Sequence, residues 1–121
     1  MRKILTILFL LLFIASSCKP QEAPIKEPFC GDNVCQSSET ENGCAADCGG
    51  FGGITNKQCS DAKGNWNDCG SPCAGTGSEF CIQMCQAQCE CGGIAGFNCP
   101  KGFKCRLTGK IADEMGACIK E

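Results

Sequence analysis

Four closely spaced cysteines are the residues of this chain best placed to do chemistry. They lie in "FCIQMCQAQCEC" at 80–91, where Cys81, Cys85 and Cys89 recur at every fourth position and Cys91 follows. On a helix, positions i, i+4 and i+8 share one face, so three thiols could line a metal site. On an irregular chain the same spacing suits several disulfides held close together. The redox compartment of the protein decides between these two chemistries.

The first seventeen residues have the pattern of an export signal. Arg2 and Lys3 precede an apolar run from Ile4 to Ala15 that only Thr6 interrupts. A basic start, about 7–15 apolar residues and then small residues are typical of a secretory signal. The run is shorter than the roughly 20 residues that a transmembrane helix needs. We therefore predict that residues 1–17 are a signal peptide and that the rest of the chain is exported.

The end of this segment, "IASSC", places three small residues directly before Cys18. It resembles the lipobox of bacterial and archaeal lipoproteins. The resemblance implies that Cys18 becomes the lipidated first residue of the mature chain and anchors it to the outer face of a prokaryotic membrane. The alternative is ordinary signal cleavage, with Cys18 left as a spare thiol.

The cysteine count supports export and lipidation together. The chain has fifteen cysteines, and assigning Cys18 to a lipid leaves fourteen, which can pair completely. Disulfides persist outside the cytoplasm, and a short cysteine-dense exported chain is typical of a disulfide framework. Large apolar side chains are few, so cross-links must supply what a hydrophobic core supplies elsewhere. We predict a small disulfide-rich fold, mostly loops and turns, with a few short strands and room for one short helix.

Composition also excludes several functions. The chain has no histidine, which removes the common Ser-His-Asp and Cys-His catalytic arrangements and every imidazole zinc site. The net charge is −2, and loss of Arg2 and Lys3 with the signal makes it −4, so nucleic acid is not an expected partner. No pair of carboxylates stands out as an acid–base couple. We predict that the protein is not an enzyme.

The cysteines fall into two clusters that a glycine-rich segment separates. Residues 18–29 contain three prolines and mixed charges, which predicts an extended tether after the lipid anchor. Residues 30–50 hold four cysteines, and residues 51–121 hold ten. Both counts are even, so each cluster can close on itself. The segment "GGFGG" at 49–53 is predicted to be a flexible joint between two small modules.

The four-cysteine module is acidic as well as rich in cysteine. Its cysteines are Cys30, Cys35, Cys44 and Cys48, and its sequence leaves their pairing open. The segment resembles a short "CGDGVC…GE…C…DCG" module of exported prokaryotic proteins. Oxygen ligands crowded on a rigid loop can hold calcium, and Asp32, Glu39 and Asp47 are the candidate ligands. The alternative is an ordinary acidic surface turn, and no other cofactor is expected.

Secondary structure is signalled at few positions. Ser78 is a candidate N-cap for a short helix over 79–88, a stretch of acceptable helix formers. The segments "CPKGFKCRL" and "MGACIK" near the end of the chain are predicted to pair as two short strands.

A third resemblance covers residues 59–91. The stretches "CGSPC" at 69–73 and "CIQMCQAQCEC" at 81–91 resemble the trypsin-inhibitor-like cysteine-rich domain of serine-protease inhibitors. The chain departs from that family at Gly77, where the family has a cysteine, and at Gln88, where it usually has glycine. It also carries an added loop with Cys99. The resemblance implies disulfides that use all ten cysteines of this module, with Cys99 and Cys118 replacing the missing link: Cys59–Cys89, Cys69–Cys85, Cys73–Cys81, Cys91–Cys105 and Cys99–Cys118.

In that family the chain between the fifth and sixth cysteines binds the protease. The corresponding residues here are Ile82, Gln83 and Met84, with Gln83–Met84 as the scissile bond. A loop fixed in a substrate-like conformation loses little entropy on binding. The resemblance therefore implies a serine-protease inhibitor with a secreted serine protease as partner. A helix over 79–88 would exclude this function, because a helical loop cannot insert into a protease cleft as a strand.

A second class of function fits the same composition. A structural or adhesive envelope lipoprotein would use cysteine-rich modules to resist proteolysis and to present a surface that binds another envelope protein or a glycan. The acidic first module and the glycine-rich loop around Cys99 are compatible with this alternative. Both functions require a membrane-tethered, disulfide-stapled binding module.

Overall fold

A computed structural model describes residues 29–121. The predicted signal peptide, the lipidation site Cys18 and the tether up to residue 28 lie outside the described residues. Within the described residues, no helix is long and apolar enough to span a membrane.

The described chain contains two short helices and four short strands. Helix α1 is Ala45–Cys48 and helix α2 is Asn56–Asp61, with a 3₁₀ turn over Phe51–Gly53 between them. The strands are β1 (Asn65–Gly70), β2 (Gln86–Gly92), β3 (Phe103–Arg106) and β4 (Met115–Lys120). The remaining residues form loops and turns. This confirms the predicted small disulfide-rich fold.

The four strands form one antiparallel sheet in the order β1-β2-β4-β3. Strand β2 lies in the middle, with Trp66 of β1 opposite Cys89 on one side and Gly116 of β4 opposite Cys91 on the other. Strands β3 and β4 pair with Cys105 opposite Cys118. The predicted pairing of the two C-terminal segments is confirmed.

Fourteen cysteines form seven disulfides, and none joins the first four cysteines to the last ten. In the ten-cysteine module the five bonds coincide with those that the family resemblance implies. In the four-cysteine module, where the sequence left the pairing open, alternate cysteines pair. The bonds are Cys30–Cys44, Cys35–Cys48, Cys59–Cys89, Cys69–Cys85, Cys73–Cys81, Cys91–Cys105 and Cys99–Cys118.

Sulfur rather than hydrocarbon dominates the core. Ile54 is the one fully buried residue of the core cluster that is not a cysteine. Trp66 and Phe103 pack against the cluster from its edges. The cysteines of the core are residues 59, 89, 91 and 118, which belong to three of the seven disulfides. The interior is therefore small and covalently cross-linked.

The predicted helix over 79–88 is wrong. Residues 80–85 have no regular secondary structure, and strand β2 begins at Gln86. The Ser78 hydroxyl donates to the carbonyl oxygen of Phe80 at 2.7 Å instead of accepting a bond from a helix N–H. Helix propensity is a weak preference that tertiary constraints override. Here the two disulfides of Cys81 and Cys85 and the sheet pairing of β2 decide the conformation.

The glycine-rich segment at 49–53 is not a free joint. Its backbone closes the 3₁₀ turn through a bond from Gly53 N–H to Gly50 O, and Gly50 N–H donates to Ile54 O; both are 2.8 Å. A side chain on Gly50 would collide with the carbonyl oxygen of Ala87 in β2. Glycine here serves close packing, because Ile54 must enter the core directly after it.

Candidate functional site

The segment Cys81–Cys85 forms an exposed loop whose two ends are covalently fixed. Cys81 is bonded to Cys73, and Cys85 is bonded to Cys69. Between them Ile82 and Met84 are 65% and 63% exposed. Phe80, two residues before Ile82, is 89% exposed as well, so three alternate positions present large apolar side chains, and such a run is a surface that another molecule can cover. The structure therefore presents the predicted binding residues Ile82, Gln83 and Met84 together on the surface.

The loop contains a tight turn at its middle residue. The N–H of Met84 donates to the carbonyl oxygen of Ile82 at 3.0 Å, which closes a three-residue turn around Gln83. Gln83 is thus at the tip. To enter a protease cleft as an extended strand, the loop must break this hydrogen bond. The Met84 N–H and the Ile82 C=O would then turn to the protease.

Residues 69–73, which include the disulfide partners of Cys85 and Cys81, form a support behind the loop. Residues 69–71 and 81–85 enclose a surface groove of about 440 Å³. The Ser71 hydroxyl lies 3.5 Å from the Sγ atom of Cys81 and accepts a bond from the N–H of Cys73 at 3.2 Å. The Ser71 hydroxyl therefore contacts both half-cystines of the Cys73–Cys81 disulfide.

A buried glutamine fixes this support to the sheet. Gln88 of β2 is fully buried, and its Nε2 donates to the Ser71 carbonyl at 3.2 Å and to Glu90 Oε1 at 3.4 Å. Its Oε1 accepts a bond from Gln86 Nε2 at 3.3 Å. Gly70 lies directly on this amide, so that a side chain at 70 would collide with it. A buried amide with all these partners is satisfied and rigid.

The carboxylate of Glu90 gathers the polar side chains of β1 and β2. It accepts bonds from Asn65 Nδ2 at 3.0 Å and from Asn67 Nδ2 at 2.8 Å, one on each oxygen. Asn67 Oδ1 in turn accepts a bond from the N–H of Cys69 at 2.9 Å. A continuous network therefore leads from the sheet to the half-cystine that anchors the end of the loop.

Arg106 of strand β3 also holds this support and contacts the 3₁₀ turn. Its Nε donates to Ala74 O at 2.9 Å and its Nη2 to Pro72 O at 3.0 Å. The guanidinium carbon lies 5.6 Å from the ring centroid of Phe51, within cation–π range. No local pattern in the sequence marks Arg106, because its contacts with Pro72 and Ala74 form only when the fold brings β3 close to that segment.

The candidate calcium ligands instead cap the backbone of their own module. Asp47 is 4% exposed and accepts bonds from the N–H groups of Gly31, Asp32 and Asn33 at 2.6, 3.1 and 3.0 Å. The Asp32 side chain accepts from Val34 N–H at 2.9 Å, and Glu39 accepts from Gln36 N–H at 3.1 Å. Asp32, Glu39 and Asp47 do not come together as one group of ligand atoms among the described residues.

Two groups of sulfur-bearing side chains do lie close together. Cys91, Cys99 and Cys105 form one group, and Cys30 and Cys44 with Asp47 form the other. Every one of these sulfurs is in a disulfide. A metal needs the thiolate form as ligand, so these sulfurs are structural.

Comparisons with known proteins add no family. No family model matches the chain, and neither a curated protein nor a solved structure matches it significantly.

Proposed function

We propose that the protein is a surface-tethered, disulfide-stapled binding module whose recognition element is the loop Cys81–Cys85. The observation that carries this proposal is an exposed loop whose two ends are each cross-linked to the segment 69–73, which the buried Gln88 holds by a hydrogen bond. Such a loop is ordered before a partner arrives, so little conformational entropy is lost on binding.

Serine-protease inhibition is the most specific form of this proposal. The cysteine spacing around the loop resembles that of the trypsin-inhibitor-like domain, and Gln83 at its tip would enter the specificity pocket of the protease. After cleavage of the Gln83–Met84 bond, the disulfides of Cys81 and Cys85 would hold both new ends in place. The Gln83–Met84 bond could then re-form before the two ends leave the protease, so that a loop that is cleaved slowly would still inhibit.

A panel of secreted serine proteases tests this function. We expect stoichiometric inhibition of at least one protease, with slow cleavage after Gln83. The variant Gln83→Arg should inhibit trypsin, because trypsin requires a basic residue at that position. Ser38→Arg, which adds the same charge at an exposed position of the four-cysteine module, should not. If no protease is slowed and Gln83→Arg leaves trypsin unaffected, inhibition is excluded and the structural or adhesive alternative is favoured.

We further propose that the module is held at a prokaryotic membrane by lipid on Cys18. The basis is the sequence pattern at 1–18, together with the seven disulfides that pair the fourteen cysteines of residues 30–121 with one another. Metabolic labelling with palmitate should mark the parent chain and not Cys18→Ala. Equal labelling of both would contradict the anchor.

A further inference from the structure

A second groove lies beside the loop and joins the two cysteine modules. It has a volume of about 560 Å³ and runs between residues 41–46 of the four-cysteine module and residues 84–87 at the start of β2. The residues that give it its chemical character are Glu41, Ala45, Ala46, Phe51, Asp68 and Met84.

The groove combines apolar walls with negative charge. Its apolar side chains come from both modules, and its only charged lining residues are Glu41 and Asp68. Asp68 Oδ1 accepts a bond from the indole N–H of Trp66 at 2.8 Å, which orients the carboxylate. Within the described residues, the other Asp68 oxygen and the Glu41 carboxylate have no hydrogen-bond partner. Two carboxylates without a cation favour a positively charged occupant.

The floor of the groove is rigid. Gly50 packs so closely on Ala87 and Trp66 that no side chain fits there, and Phe51 lies beneath the guanidinium of Arg106. The contact between the modules therefore depends on close packing and not on a free linker. The groove is present in the structure without any ligand, so a ligand need not create it.

The groove continues directly from the recognition loop. Met84 and Cys85 line both this groove and the smaller one behind the loop. A partner that covers Ile82–Met84 would meet the larger groove just after Met84. The four-cysteine module would then form the second half of the binding surface instead of a spacer.

We propose that this groove binds a lysine or arginine side chain of the protein that binds the loop. Its aliphatic stem would lie on Ala45, Ala46 and Met84, and its cation would reach Glu41 and Asp68, as long basic side chains do at apolar surfaces. The inference rests on the proposed function of the loop as recognition element, and it adds a basic residue to the definition of the partner.

Titration of the full mature chain with N-acetyl-arginine methylamide tests the groove, with N-acetyl-norleucine methylamide as the uncharged probe. We expect saturable NMR shifts at the amides of Ala46 and Ala87 and at the Trp66 indole. They should weaken with added salt and be much smaller with norleucine. In Glu41→Gln/Asp68→Asn the affinity should fall about tenfold, which corresponds to about 1.4 kcal/mol. Glu79→Gln, an exposed carboxylate outside the groove, should leave it unchanged.

Three results would overturn the proposal. One is equal binding of both probes, and another is unchanged affinity in the double variant. The third is a shift of the same signals in Lys26→Ala without any probe, which would mean that the chain's own tether fills the groove. The protease panel separates the two proposals. Arginine binding without inhibition would leave the groove standing and exclude the inhibitor, whereas inhibition without arginine binding would exclude only the groove.

Discussion

At the scale of single residues, Gln88 has the largest effect on the candidate site. Sequence analysis noted it only as a departure from glycine in the resembling family. No local pattern in the sequence reveals its function, because Ser71, 17 residues away, reaches the amide only through the pairing of β1 with β2. Gly70 provides the space above the amide. A polar residue in a cysteine-lined interior thus positions the support of an exposed loop.

Replacing Gln88 by alanine should destabilise the protein by about 2 kcal/mol, because it leaves a cavity and removes the buried hydrogen bonds of the amide to Ser71 and Glu90. We expect the support at 69–73 to loosen, so that proteases cut the loop after Gln83 faster than in the parent. Chemical unfolding and the rate of loop cleavage measure the two effects. Gln83→Ala, the same truncation at an exposed position, should leave the unfolding free energy nearly unchanged. Parent-like stability of Gln88→Ala would contradict the positioning function.

At the scale of elements, cysteine spacing predicted more than residue propensity did. The strand pair β3–β4 was predicted from two short runs near the C-terminus, and the structure pairs them. The helix over 79–88 did not form, because covalent bonds at Cys81 and Cys85 outweigh a weak preference. Helix α2 had a readable signal: Thr55 and Gln58 form a capping box, with Gln58 N–H to Thr55 Oγ1 at 3.2 Å.

The turn between β3 and β4 contains a carboxylate that makes the protein sensitive to acid. The Glu114 side chain accepts bonds from Thr108 N–H at 2.9 Å, from the Thr108 hydroxyl at 2.7 Å and from Gly109 N–H at 3.0 Å. Hydrogen bonds hold the pKa of Glu114 below its ordinary value of 4.5, and the Thr108 N–H contributes most, followed by the Thr108 hydroxyl. Desolvation opposes this lowering, and the Gly109 N–H and the charge of Lys110 add still smaller lowering effects.

Because the pKa is lower in the folded state, this stabilisation is fully present above pH 4.5 and is lost as the pH falls through the folded pKa. We expect Glu114→Gln to lower the melting temperature at pH 7, and the difference from the parent to shrink at pH 3. Asp113→Asn, in the same turn but exposed, should have little effect at either pH. A difference that grows on acidification would contradict the assignment. Melting curves at the two pH values provide the test.

At the scale of the whole molecule, disulfides and close glycine packing replace an oily core. The five bonds of the ten-cysteine module match those that the resemblance implies, whereas cysteine order alone leaves the pairing of ten cysteines open. The contact of Gly50 with Ala87 and Trp66 was not predictable, since a glycine-rich segment looks the same whether it moves freely or packs tightly. The joint surface of the two modules, and with it the acidic groove, therefore emerged only from the fold.

Seven disulfides build the fold and fix the loop. Mapping these disulfides is therefore the decisive experiment. Between Lys63 and Lys101 there is no lysine or arginine, and cleavage after Glu79 and Glu90 separates the loop cysteines from Cys69 and Cys73. Tandem mass spectrometry of the disulfide-linked fragments then identifies which cysteines are paired. We predict Cys69–Cys85 and Cys73–Cys81 among seven bonds, with no free thiol in residues 30–121. Free thiols bound to a metal, or bonds that join residues 30–48 to residues 59–118, would contradict the account.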